Sequence, residues 1–187
     1  MPPADETEPS HASARYTPLQ ITLHWLTAAL LVALVGSGLA YSADLAERAA
    51  IWVHQVSGQI LILVVALRFV VRFFASPLPA DPDHAVWERR LAAFTHLGLY
   101  VTLIAMAATG YVAASALGHT ALALPVSQSF ARSDAGEALL FAHFALKWVL
   151  LALVGLHLAG VLKHALQGRD GTLSRMTFQP RKEKENA

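Results

Sequence analysis

The residues best suited to chemistry are two histidines near the C-terminal end, His143 and His157. They lie in the apolar run LLFAHFALKWVLLALVGLHLAGVL, which covers residues 139–162. This run is about as long as a bilayer core is thick, and a segment in lipid must be helical to satisfy its backbone. On a helix, two residues 14 positions apart return to within about 40° of one face and lie about 21 Å apart along the axis. One face of one membrane helix therefore offers an imidazole near each end, which suits two haems stacked across a membrane.

The composition places the chain among membrane proteins. Of its 187 residues, 55% are hydrophobic and only 14% are charged, with a net charge of +1. A nearly neutral chain gives no indication of nucleic-acid binding. The absence of cysteine excludes thiolate-ligated and covalently attached haem, iron–sulfur clusters and disulfides. Nine histidines are many for such a chain, because ionisable groups are costly at membrane depth.

Four apolar segments predict an all-α fold, an integral membrane four-helix bundle that binds two b-type haems in its core. Residues 18–166 are expected to form this single domain. Residues 1–17 are polar, lack the features of a signal peptide and are expected to be a disordered tail. Residues 167–187 are expected to be a basic tail. The expected spans are residues 21–41, 51–74, 91–116 and 139–162.

Positive charges predict the orientation of the bundle. The C-terminal tail is strongly basic, and four arginines flank the second connection, whereas the first connection has only Arg48 and the third only Arg132. Both termini and the second connection are therefore expected to be cytoplasmic. The four flanking residues are Arg68, Arg72, Arg89 and Arg90.

By depth, the histidines of the spans form two layers. A six-coordinate haem takes two axial imidazoles from facing helices. The outer layer contains one candidate pair, but in the inner layer geometry leaves open whether His24 or His96 faces His157, and His164 is a further competitor. The outer layer is His54 and His143, and the inner layer is His24, His96 and His157.

On each of the other three spans, a glycine or an arginine lies 14 residues after a histidine and so shares its face of the helix. A glycine lets a flat porphyrin approach the backbone, and an arginine can pair with haem propionates. Gly58, one turn after His54, also suits a ring lying against the helix. The offset pairs are His24 with Gly38, His96 with Gly110, and His54 with Arg68.

Two plainer interpretations remain. The histidines could form hydrogen bonds between helices, and the glycines could be ordinary packing sites for close helices. A zinc site is also conceivable, but zinc favours clustered ligands with carboxylates, and the four predicted spans contain neither Asp nor Glu.

The sequence resembles the bacterial cytochrome b561 family across all four spans and the residues that follow them. The ordered set of motifs carries the resemblance. The stretches are LQITLHWL at residues 19–26, WVHQVSGQILILVVALRFVVRF at 52–73, THLGLY at 95–100, GLHLAGVLKH at 155–164 and DGTLSRM at 170–176.

The resemblance implies a multi-pass cytochrome of the bacterial inner membrane with two haems b. It implies that His24 and His157 hold one haem, that His54 and His143 hold the other, and that His96 is not an axial ligand. The family likeness also implies superoxide as a periplasmic electron donor and ubiquinone as the acceptor. More distantly, the chain is similar to the di-haem membrane subunits of formate dehydrogenases and nickel–iron hydrogenases.

Several polar residues are candidates for contacts with haem propionates or quinone. Lys147, one turn from His143, either pairs with an outer propionate or extends its ammonium to the interface. Arg68 is expected to pair with a propionate, with a quinone contact or a purely topological role as alternatives. The other quinone candidates are Arg72, His96, His164 and Trp87.

Three functions compete at this point. The first is a self-contained superoxide:quinone oxidoreductase, although Arg48, Arg132 and His119 are few cations to attract an anion to the outer surface. The second is an electron-transfer subunit that serves a separate dehydrogenase or redox protein and has no substrate of its own. The third is a membrane scaffold without redox chemistry.

Overall fold

The computed structural model describes residues 15–75, 85–116, 126–167 and 175–178. Within these ranges all regular secondary structure is helical. Four of the helices are long and apolar enough to cross a membrane, which confirms the predicted all-α membrane bundle. The helices are α1 Pro18–Ser42, α2 Glu47–Phe74, α3 Val86–Ala116, α4 Gln128–Ala131 and α5 Asp134–Leu166.

All four spanning helices begin before the expected apolar spans, and α1 and α5 also end after them; polar residues cap the starts of α1 and α5. Thr17 and Gln20 form a reciprocal capping box at the start of α1. Pro18, directly after Thr17, suits the first helical position. Ser133 caps α5, its Oγ accepting from the Gly136 backbone N–H at 3.4 Å. A Cβ on Gly136 would lie 2.3 Å from the Ala131 carbonyl oxygen, so glycine is required where α4 turns into α5.

Several expected features lie outside the described residues. These are most of both tails, the centre of the second connection, and residues 117–125 of the third connection with His119. The described part of the third connection contains the short helix α4. The first connection is only residues 43–46, and it reverses the chain through left-handed backbone at Asp44 and Ala46.

The long helices pack as two pairs, α1 along α2 and α3 along α5, and the pairs meet through α2 and α3. A buried apolar cluster lies at their centre, formed by Leu61, Val65, Leu103 and Leu150. Leu61 and Leu150 each lie seven residues from the histidine of their own helix in the outer layer. The cluster therefore occupies the level between the two histidine layers.

The outward surfaces of the helices are apolar. Val32, Leu63 and Phe141 are 74%, 72% and 74% exposed, and no more than 22% of any spanning window is buried inside the protein. In water such a surface would be costly. Lipid is the solvent that suits it.

Candidate functional site

The outer layer brings His54 of α2 opposite His143 of α5, with ring centroids 6.2 Å apart. His54 Nδ1 lies 3.0 Å from the Leu34 carbonyl oxygen. His143 Nδ1 lies 3.1 Å from the Met106 carbonyl oxygen and 3.3 Å from Thr109 Oγ1. Because a carbonyl only accepts, we assign the proton of each ring to Nδ1, which leaves each Nε2 with a free lone pair. This is the usual arrangement of a histidine that binds a metal through Nε2.

Two glycines make room for these rings. A Cβ on Gly110 would lie 2.8 Å from His143 Cε1, and one on Gly38 would lie 3.4 Å from His54 Nδ1. Each glycine therefore accommodates an imidazole of the neighbouring helix. A Cβ on Gly58 would lie 3.7 Å from the Leu34 side chain, an ordinary contact, so Gly58 shows no comparable requirement.

The inner layer brings together three imidazoles from α1, α3 and α5. The His24 and His157 ring centroids are 6.3 Å apart, and those of His96 and His157 are 5.3 Å apart. His157 is thus shared by two neighbours at different separations.

Arg68 enters the inner layer from α2. Its Nη2 donates to His24 Nδ1 at 2.9 Å, and its Cζ lies 5.6 Å from the centre of the Tyr100 ring. The side chain is half-buried. The charge of Arg68 therefore lies beside His24, one layer away from His54 on the same helix.

The spacing of the rings tests whether the residues fit an iron porphyrin. A metal lies about 2 Å from a ligating imidazole nitrogen, so two rings on opposite sides of one metal have centroids about 6 Å apart. The His54–His143 and His24–His157 separations of 6.2 and 6.3 Å fit this value. The His96–His157 separation of 5.3 Å is short for it. Among the described residues, no group of three or more His, Cys, Asp or Glu side chains could hold a bare metal ion.

A polar cavity of about 120 Å³ lies beside the inner layer. Its lining includes two arginines and no carboxylate, so it suits an anionic or electron-rich group. The backbone carbonyl of Met176 accepts from Trp25 Nε1 at 2.9 Å, which holds residues 175–178 against α1. The lining residues are Tyr16, Gln20, Leu23, Arg68, Val71, Arg72, His96, Tyr100 and Met176.

The structure separates the other candidates from this cavity. Trp87 lies under Lys163, whose Nζ is 5.0 Å from the indole centre and which pairs with Glu88, so these residues join α3 to α5. His164 is half-buried in the last turn of α5. Neither Trp87 nor His164 is among the residues that line the cavity.

Lys147 is directed toward aromatic rings of its own helix. Its Nζ lies 5.6 Å from the Phe144 ring centre and 5.3 Å from that of Trp148. These rings are 53% and 67% exposed. The ammonium therefore lies over partly exposed rings while the half-buried side chain remains close to His143.

Sequence reasoning missed some of the residues that shape these sites. Tyr100 was detectable, because it follows His96 by one turn and so shares its face. Thr109 adjoins Gly110, which the offset pattern had marked. Tyr16 and Met176 gave no signal, because they reach the cavity from segments at opposite ends of the chain.

Four membrane-spanning helices with imidazoles facing each other across the interior define a membrane b-type cytochrome, a protein that transfers electrons. The chain belongs to the prokaryotic cytochrome b561 family, whose model matches residues 15–179. It is 27% identical over 174 residues to cytochrome b561 homolog 2 of Escherichia coli (strain K12), covering 87% of this chain and 90% of that protein. Members of this family bind b-type haem.

Proposed function

We propose that this protein is a di-haem cytochrome that transfers electrons from superoxide on the periplasmic side of the bacterial inner membrane to ubiquinone. One observation carries the two-haem part of the proposal: two imidazole pairs have nearly equal separations, 6.2 and 6.3 Å, in layers about 21 Å apart. The donor and the acceptor rest on the family resemblance. His54 and His143 would hold one haem, and His24 and His157 the other. When bound, each haem supplies a one-electron iron couple.

The choice of His24 over His96 rests on ring separation. Two rings need about 6 Å to lie on either side of one iron, and His96 is 5.3 Å from His157. His96 also lines the polar cavity. These contacts favour a role for His96 beside the haem site.

The apolar cluster between the layers determines what can cross the bundle. Leu61, Leu103 and Leu150 are 5–7% exposed, and they exclude water and ions from the level between the two histidine pairs. Electrons can tunnel through such a layer over short distances, whereas ions cannot cross it without a large desolvation cost. The arrangement therefore suits electron transfer without ion leakage.

We place the quinone head group in the polar cavity. Arg72 and Tyr16 can donate hydrogen bonds to its oxygens, and the imidazole of His96 lines the same space. An apolar groove of about 570 Å³ runs between α2 and α3 and suits the isoprenoid tail. Phe69 of the groove touches Tyr100 of the cavity, with ring centroids 6.4 Å apart, so the two spaces adjoin.

The overall reaction balances with two superoxide ions per quinone. Each superoxide loses one electron and leaves as dioxygen. The quinone takes up two electrons and two protons and leaves as quinol. With both termini in the cytoplasm, as the positive charges predict, the protons come from the cytoplasmic side.

The charge of the outer end favours a second candidate, electron transfer from a redox protein. Around the first connection and the start of α5, four exposed acids accompany only two exposed arginines, Arg48 and Arg132. A net negative surface repels superoxide and attracts a basic protein. The acids are Asp44, Glu47, Asp134 and Glu137.

Rapid mixing of the purified oxidised protein with superoxide tests the proposal. We expect the b-type absorption to change to the reduced form much faster than superoxide dismutes, and added superoxide dismutase to abolish the change. Ubiquinone should then reoxidise the protein. Absence of superoxide-dependent reduction in a protein with two haems would reject the superoxide function and leave the redox-partner function.

A further inference from the structure

The two histidine pairs differ in the charges that contact them. In the outer layer, both Nδ1 atoms face backbone carbonyl oxygens, those of Leu34 and Met106. In the inner layer, the guanidinium of Arg68 lies 2.9 Å from His24 Nδ1. The hydrogen-bond partners of the outer pair thus carry partial negative charge, and the hydrogen-bond partner of His24 carries a full positive charge.

These contacts act on a redox centre in opposite directions. A carbonyl that accepts from Nδ1–H increases the electron donation of the ring to its metal, which favours the oxidised form. A nearby cation favours the form with one electron more, and its effect is large where water is excluded. The outer site is therefore built for a lower reduction potential than the inner site.

We propose that Arg68 sets the direction of electron transfer by raising the reduction potential of the haem held by His24 and His157 above that of the haem held by His54 and His143. This inference rests on the proposed two-haem function. It assigns Arg68 a positioning role that acts through its charge.

The hydrogen bond to His24 need not persist for the effect. A ligating His24 carries its proton on Nδ1 and cannot accept there, and an arginine only donates. The guanidinium has a second site of attachment at the Tyr100 ring, 5.6 Å away, so its charge stays in the inner layer. If a ligating His24 lost its Nδ1 proton and kept accepting from Arg68, the ring would be an anion. That negative charge would instead lower the reduction potential of the haem it holds.

The other charged groups of the spans do not cancel this difference. Lys147 is close enough to His143 to act on it electrostatically, but its ammonium lies over the exposed rings of Phe144 and Trp148, whereas Arg68 contacts His24 directly. Lys163 is paired with Glu88 near the inner ends of α3 and α5. Arg72 lines the same cavity as Arg68 and adds to its field.

Potentiometric titration of the visible spectrum measures the effect directly. We expect two midpoint potentials in the unsubstituted protein. Arg68→Gln should lower the higher midpoint potential by at least about 59 mV, which is a tenfold change in the one-electron equilibrium constant. The lower midpoint potential should not change. Arg68→Lys retains the charge and should keep the higher midpoint near its original value.

Haem content, measured in the same samples, separates this inference from the proposed function. Fewer than two haems in the unsubstituted protein would reject both. Suppose that Arg68→Gln keeps two haems. If its higher midpoint potential is then unchanged or raised, or if only the lower midpoint potential falls, the role of Arg68 is overturned and the proposed function is not. If Arg68→Gln loses a haem, Arg68→Met replaces it: this long uncharged side chain must also lower the higher midpoint, and an unchanged value overturns the inference.

Discussion

Gly110 of α3 lies against the imidazole of His143 on α5, so closely that a Cβ on Gly110 would be 2.8 Å from His143 Cε1. The ring cannot move away freely, because its Nδ1 is held by the Met106 carbonyl oxygen at 3.1 Å. Any side chain at position 110 must therefore displace the histidine from its place opposite His54.

We predict that Gly110→Ala lowers the haem content from two per chain toward one, since the His143 ring must leave its position. Overpacking of this kind costs about 1–3 kcal/mol. Gly38→Ala, with 3.4 Å to His54 Nδ1, should have a smaller effect. Gly58→Ala is the matched control, since its Cβ meets only an ordinary contact at 3.7 Å. Equal haem contents in all three variants would contradict the role assigned to the glycines.

We predict that alanine at His24, His54, His143 or His157 removes one haem each, and that His96→Ala keeps both. Each of the four supplies one of two axial nitrogens, whereas His96 is too close to His157 to lie across an iron from it. Haem is quantified by its pyridine adduct and compared with protein concentration. If His96→Ala lost a haem and His24→Ala kept both, His96 rather than His24 would be the ligand that pairs with His157.

We predict that Arg72→Gln raises the KM for ubiquinone at least about tenfold, because a hydrogen bond from a charged donor contributes about 1.5–3 kcal/mol. Reduction of the outer haem by the electron donor should be unchanged, since Arg72 lies at the other end of the bundle. Steady-state quinone reduction and single-turnover haem reduction measure the two effects. Arg48→Gln removes an equal charge from the outer end, and a similar rise in its KM would show that Arg72 acts only through overall charge.

We predict that Trp25→Phe releases residues 175–178 from α1 while both haems stay bound. The substitution removes the hydrogen bond to the Met176 carbonyl oxygen, and one such bond contributes about 0.5–1.5 kcal/mol. Amide hydrogen exchange in this segment should therefore quicken about three- to tenfold. Trp148→Phe is the control on the outer half of α5. Unchanged exchange in Trp25→Phe would mean that other contacts hold the segment.

The membrane fold was predictable from the sequence because each spanning helix carries its own signal. An apolar run of bilayer length must be helical in lipid, whatever packs against it. The two layers followed as well, since His143 and His157 are fixed relative to each other by the geometry of one continuous helix.

The contacts between helices required the tertiary structure. The offset pattern marked Gly110, but only the packing of α3 on α5 placed it against His143. Arg68 was expected near a haem, and only the rotation of α2 against α1 placed its guanidinium on His24. Trp87 was one candidate for stacking on a quinone, and only the packing of α3 on α5 placed Lys163 over its ring.

The sequence by itself therefore determined the number of membrane-spanning helices, the relative depth of the histidines within them and the two-layer arrangement, because these depend on spacing along one chain segment. The tertiary structure decided which imidazoles face each other, which glycine admits which ring and which segments enclose the polar cavity. These depend on the rotation and separation of neighbouring helices, which are set by the packing of many side chains together.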